Sequence, residues 1–328
     1  MKRKNVFWLI MIVCLLSLSN CGVMAINPSI EKTSKEIVSI EETTITDDEQ
    51  EVIKKFSLKN KFQRSPEAQI ESLFKKLTKY SEKNDNEKLK SLYSDSYVNN
   101  DGFNKKIIFE LVEQSASSYK DVDYENIIES IEVTGNYAVV KAREIAKGTT
   151  LVKQPKTDDY GDVYSDIHYT DYLQKEGKDW KITASIVNSE KVSLKHGDAK
   201  NIDIDIIAPE TVPANTEYEV KVTTTSLDGT MMFGSIVNEQ IVFPQISKKD
   251  VFRAIRSDKL ERLLTSNSDK NNEYAAVTIG ITRPKVVPPD LKFDMTGMAF
   301  VMKRVNVVSP AENKENILNN KEIANVED

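Results

Sequence analysis

Histidine, cysteine and glycine are scarce in this 328-residue chain, and each scarcity removes a class of chemistry. The two histidines, His168 and His196, lie well apart and are too few for a multi-histidine metal centre. Of the two cysteines, Cys14 sits inside an apolar N-terminal run and Cys21 follows it, so nothing downstream forms a disulfide, a thiolate nucleophile or a cysteine zinc site. The 11 glycines include no Gly-x-Gly pair, which excludes dinucleotide fingerprints and phosphate loops. Neither a Gly-x-Ser-x-Gly elbow nor a His-Glu-x-x-His helix is present. An enzyme built on this chain has only carboxylates and tyrosines to work with, and no cofactor and no metal are expected.

Basic residues are also outnumbered. There are 45 of them against 51 acidic, a net charge of −6, and without residues 1–20, which carry Lys2, Arg3 and Lys4, the balance is 42 against 51, or −9. A net acidic body repels a phosphate backbone, and no block of like charges compensates locally, so no nucleic-acid partner is expected. At 39% apolar and 29% charged residues the composition is that of a globular protein, and the length fits two domains.

Residues 1–20 read as a secretory signal, a short cationic start followed by an apolar run of 14 residues from Val6 to Ser19. That run falls short of the roughly 20 residues a membrane-spanning helix needs. It closes on Leu18-Ser19-Asn20-Cys21-Gly22, which resembles the lipobox of bacterial lipoproteins, with Asn20 where the family usually has Gly, Ala or Ser. The resemblance implies acylation of Cys21, attachment to the outer face of a bacterial membrane and a cell-envelope location; the alternative is cleavage after Ala25 with no lipid. Residues 21–64, rich in Ser, Thr, Glu and Lys without a sustained period, read as a flexible tether, with a nascent helix at most near Asp47–Phe56.

From residue 65 the pattern becomes regular. Ser65-Pro66-Glu67 is a helix start, and Ile70, Leu73, Phe74 and Leu77 then line one face. A second short helix carries Leu89, Leu92 and Tyr93, and a third, near 104–118, carries Ile107, Ile108, Leu111 and Val112. Beyond Tyr119 the period changes to two, which predicts a meander of antiparallel strands. The segments Asn86-Glu87-Lys88-Leu89-Lys90-Ser91-Leu92-Tyr93-Ser94-Asp95 and Tyr172-Leu173-Gln174-Lys175-Glu176-Gly177-Lys178-Asp179-Trp180-Lys181-Ile182 resemble the nuclear-transport-factor-two-like family (cystatin-like cone). That likeness implies an α+β fold over residues 65–195, three helices on a curved antiparallel sheet. Alternation puts Tyr169, Asp171 and Leu173 on one face of their strand; with Trp180 and Ile182 beside Leu173, that face is the inner one. Burial there raises the pKa of Asp171 and makes it, with Tyr169, the candidate acid/base pair. The family's isomerases and dehydratases use such a carboxylate. Pocket candidates are Phe74, Tyr93, Tyr169, Asp171 and Trp180. His168 reads as an outward residue, and the acidic run Asp158, Asp159, Asp162 and Asp166 as a solvated loop matching no calcium template.

Residues 196–308 read as a second, β-rich domain. The run from Ile206 through Ala208-Pro209, Val212-Pro213-Ala214-Asn215-Thr216, Tyr218, Val220 and Val222 resembles the opening strands of bacterial immunoglobulin-like envelope domains, which implies a β-sandwich. A helical insert is expected over 247–265, started by Ser247 with Asp250 and carrying Val251, Phe252, Ile255, Leu260, Leu263 and Leu264. Asn267, Asp269 and Asn271 read as a polar turn, the methionines 231, 232, 295, 298 and 302 as core or an adaptable contact surface, and residues 309–328 as a polar tail.

Two functional readings follow. The first is a lipid-anchored cell-envelope protein, a non-catalytic binding or scaffold module for a small apolar ligand or a protein partner, a second copy included. The second is a cone-fold isomerase, dehydratase or cyclase with Asp171 as general base. The aliphatic inner face of the first helix favours the first.

Overall fold

The computed structural model describes residues 65–245, 251–255, 258–287 and 290–310. The leader, Cys21, the tether, Ser247, Asp250 and all but the first two residues of the tail lie outside them.

Helix α1 (Pro66–Glu82) begins where Ser65 Oγ accepts the Ala68 N–H at 3.2 Å, and it buries Ile70, Leu73, Phe74 and Leu77. The single-turn α2 (Asn86–Lys90) is capped by Asp85 and α3 (Lys105–Ala116) by Asn104; Leu89, Ile108, Phe109, Leu111 and Val112 turn inward. Between them β1 (Tyr93–Asn99) runs parallel to the later strand β5. Four long strands follow, β2 (Tyr119–Thr134), β3 (Tyr137–Thr150), β4 (Asp162–Glu176) and β5 (Asp179–Gly197), each antiparallel to the next. Register shifts in β2–β3 and β4–β5 bend this meander, as bulges do, so that it curves around the helices. On its buried face β3 presents Ala138, Ala142 and Ala146 to the same core.

The sheet does not stop where the second domain was expected to begin. The 195/196 boundary falls inside β5, and the last stretch of that strand, Lys191–Gly197, pairs antiparallel with Gly297–Lys303 of β13 (Asp290–Val308). β13 in turn pairs with β12 (Glu273–Val287), β12 with β9 (Met231–Gln240) and β9 with the two-residue β10 (Arg253–Ala254). Ten strands therefore share one sheet, counting β1 on β5 and β7 (Thr211–Pro213), which pairs three residues parallel with Asn306–Val308 of β13. A separate three-stranded sheet, β6 (Ile204–Ile207), β8 (Glu217–Thr224) and β11 (Lys259–Thr265), covers the opposite face of β9, β12 and β13.

The core changes sides along this sheet. In the first half the concave face packs on the helices. In the second half alternate residues serve both faces: Ala276, Phe300 and Met302 continue the cone core, while Val277, Ile279, Ala299 and Val301 pack on Val220, Val222 and Leu264 of the small sheet. The result is strand-rich with two stacked sheets at one end.

The expected helix over 247–265 is corrected by β11 and β10. Leu260, Leu263 and Leu264 fit a helical face, but Lys259–Thr265 pairs residue for residue with β8, which makes Leu264 buried and leaves Leu263 exposed. Apolar spacing over so few residues fits either period, and the long-range ladder decides.

At the seam lies a buried polar network. Arg304 on β13 and Asp101 in the β1–α3 loop have side chains only 1% exposed, with Nη1–Oδ2 at 3.2 Å and Nη2–Oδ1 at 2.5 Å. Asn272 donates to Asp101 at 2.8 Å, Asn306 accepts from Arg304 Nε at 2.9 Å, and the Tyr274 hydroxyl donates to Glu190 at 2.8 Å. Each buried charge is thereby paired or hydrogen-bonded. Among the described residues no helix is long and apolar enough to cross a membrane.

Candidate functional site: the interior of the cone

On β4 the odd-numbered residues from Val163 to Leu173 face inward, so the alternation places Tyr169 and Asp171 inside the cone, each 3% exposed. Asp171 sits opposite Ser185 of β5 in the ladder, and the Ser185 hydroxyl donates to Asp171 Oδ1 at 2.6 Å. Burial pushes the Asp171 carboxyl up to about 7, and the Ser185 hydrogen bond opposes part of that rise. The ionisation of Tyr97 from β1 is pushed up by burial, an effect that Ser185 opposes. Tyr169 accepts from Asn126 Nδ2 at 2.6 Å, and its hydroxyl is held protonated by burial and by the nearby Asp171 and Glu144. Tyr93 stacks edge-on against Tyr97 and Phe109, with ring centres 5.0 and 5.4 Å apart.

The expected pocket residues thus fall into two places. Phe74, Tyr93, Tyr169 and Asp171 are brought together in the buried interior. Trp180 is buried too but lines a surface cleft of about 400 Å³ between α1 and the β4–β5 hairpin. Asp171 lines neither that cleft nor the second large one, about 530 Å³, between α2 and α3. Chemically, the interior offers a buried carboxyl raised to about 7 and a set of protonated phenols.

Alternation alone did not single out Glu144, which is fully buried on the inner face of β3. The signal was present: Glu144 keeps step with Ala138, Val140, Ala142 and Ala146. His168 is on the outer face, half-exposed, with Nδ1 3.3 Å from Glu129. His196 is buried, its Nδ1 3.2 Å from the Asp159 carbonyl, and burial lowers its pKa. In the acidic loop, Asp166 is held by Arg143 through two 2.8 Å hydrogen bonds, Asp159 and Asp162 by Lys200 at 2.9 and 3.0 Å, and Asp158 by Lys153 at 3.3 Å. Those carboxylates are neutralised by side chains of the protein, and among the described residues no acidic or histidine cluster is arranged to hold a metal ion. Asn267 and Asn271 close a turn through two mutual hydrogen bonds. Met232 and Met302 are core, whereas Met231 is 44% exposed.

No protein-family model and no curated protein matches this sequence. Among solved structures, the chain is similar to a conserved protein from Planctomyces limnophilus at 15% identity, over 38% of this chain and 95% of that one, with a TM-score of 0.33. It is similar to a protein described as a putative scytalone dehydratase from Novosphingobium aromaticivorans at 18% identity, over 37% and 81%, TM-score 0.32. An NTF2-like protein from Cytophaga hutchinsonii matches at 18% identity over 38% of this chain and 98% of that one, TM-score 0.29. Each of these matches spans a little over a third of this chain.

Proposed function

We propose that this chain is a lipid-anchored cell-envelope protein whose β-rich body is a non-catalytic binding or scaffold module. The observation that carries the non-catalytic part is the burial of Asp171: it is 3% exposed, bonded to Ser185, and lines neither of the two clefts. The anchor rests on the lipobox-like Leu18–Cys21 and its place after the apolar run. A protein partner is the favoured ligand class, because β12 and β13 project beyond their neighbours as a hairpin with Val286, Leu291 and Phe293 exposed by 76%, 57% and 49%. Register puts these three, with Pro284, on one face.

Expression of the full chain in a diderm or monoderm bacterium, followed by detergent phase separation, tests the anchor. The wild type is expected in the detergent phase and Cys21→Ala in the aqueous phase; a variant that stays with the detergent overturns lipid attachment at Cys21.

The second reading, a cone-fold isomerase, dehydratase or cyclase with Asp171 as base, is favoured by one observation, a carboxyl raised to about 7 beside three buried tyrosines. Native mass spectrometry separates the two: a bound small molecule lost in Asp171→Asn supports catalysis, and an unliganded chain supports the module.

A further inference from the structure

The cleft between α1, the end of α2 and the β4–β5 hairpin has the make-up of an anion site; it does not include Asp171 and does not rest on the scaffold reading. Its floor is apolar, from Leu73, Leu92 and Trp180, all buried. Three lysines stand around it, Lys76 from α1 and Lys178 and Lys181 from the hairpin, against the single carboxylate of Asp179. Among the described residues none of the three has an ion-pair partner; Lys181 Nζ is bonded only to the Ser91 carbonyl oxygen. This concentration of positive charge stands out on a chain whose net charge is −6.

The second observation is Trp180 itself. Its side chain is 4% exposed and its indole N–H has no acceptor among the described residues, although a buried indole ordinarily finds one. Three ammonium groups without an ion-pair partner among the described residues, set around one cleft, favour an acceptor bearing negative charge. Lys175 Nζ, 6.0 Å over the indole ring, adds to the positive potential.

We propose that this cleft binds an organic anion, a phosphate or carboxylate carried on an apolar body, with the anionic group held by Lys76, Lys178 and Lys181 and the apolar part on Leu73 and Trp180. A soluble organic phosphate and a lipid headgroup share this chemistry, and the test separates them.

The chain has two tryptophans, Trp8 in the leader and Trp180, so the full chain carrying Trp8→Phe reports from the cleft alone. Phenyl phosphate is expected to change Trp180 emission saturably, while sodium chloride at matched ionic strength does not. The variant Lys76→Gln/Lys178→Gln/Lys181→Gln, at exposed or half-exposed positions that leave the fold intact by circular dichroism, is expected to bind at least about tenfold more weakly, the loss expected when several exposed charge contacts are removed together. Phosphatidylglycerol vesicles compared with phosphatidylcholine vesicles identify the source: a response to the former alone supports a lipid headgroup, and a response to phenyl phosphate alone supports a soluble ligand. Absence of a saturable response, equal response to chloride, or unchanged binding by the triple-lysine variant overturns the proposal.

Discussion

Arg304 and Asp101, 203 residues apart in sequence, form an ion pair whose two side chains are each 1% exposed. The pair joins the loop that follows β1 to the strand that completes the far half of the sheet. Removing one member leaves the other charged and dry, which costs about 3–5 kcal/mol in comparable buried pairs. Arg304→Met and Asp101→Asn are therefore each expected to lower stability strongly in urea unfolding. The double variant is expected to lose clearly less than the sum, since the two side chains share one interaction. Additive losses would show that the two residues act separately.

Asp171 sets a pH dependence with a definite sign. Its carboxyl is raised to about 7 in the folded chain, against about 3.9 when unfolded, so between those values the native state holds more protons than the unfolded state. Its contribution to stability is then greatest below about pH 4 and is lost as pH rises towards 7. Asp171→Asn keeps the acceptor for Ser185 without the charge. The expectation is a variant that melts above the wild type at pH 8, with the difference shrinking or reversing at pH 5; a constant difference across that range would count against the raised carboxyl.

Gly197 and Gly297 face each other in the β5–β13 ladder. Gly197 has φ +56°, and a Cβ there would lie 2.1 Å from the Thr296 carbonyl oxygen. Gly229 also has positive φ, +69°, but open space around it. Gly229→Ala carries only the backbone strain, about 1–3 kcal/mol. Gly197→Ala adds a backbone clash, and thermal melts are expected to show a distinctly larger loss for it than for Gly229→Ala.

The projecting hairpin is expected to be dispensable for folding. Leu291→Ser and Phe293→Ser, at exposed positions, should change stability by no more than about 0.5 kcal/mol, whereas Phe300→Ala, 5% exposed on the same strand, should cost about 3–5 kcal/mol. Equal losses in calorimetry would mean that the hairpin is packed.

Much of the cone could be read from local signals. Ser65-Pro66 marks the start of α1 because a side-chain cap and a fixed φ act within one turn, and strict alternation through Tyr169, Asp171 and Leu173 fixes which face of β4 is inside. The features that escaped depend on distance. A lone Glu144 or Arg304 in a strand ordinarily reads as a solvent-facing charge, and only the opposing strands, or an Asp101 far earlier in the chain, reveal it as buried. The Leu260–Leu264 spacing is compatible with both periods, and β8 alone decides in favour of a strand. The continuous sheet was equally hidden, since it consists of hydrogen bonds between β5 and a strand about a hundred residues later.

β13 follows all the other described strands in sequence yet lies in the middle of the sheet, between β12 and β5. During synthesis the helices and the β2–β5 meander leave the ribosome before it does, with one flank of β5 open and Asp101 without its arginine. Closure of the sheet thus waits on a late insertion into a gap between two waiting edges, a non-local step of the kind that slows folding and leaves unpaired strands exposed meanwhile.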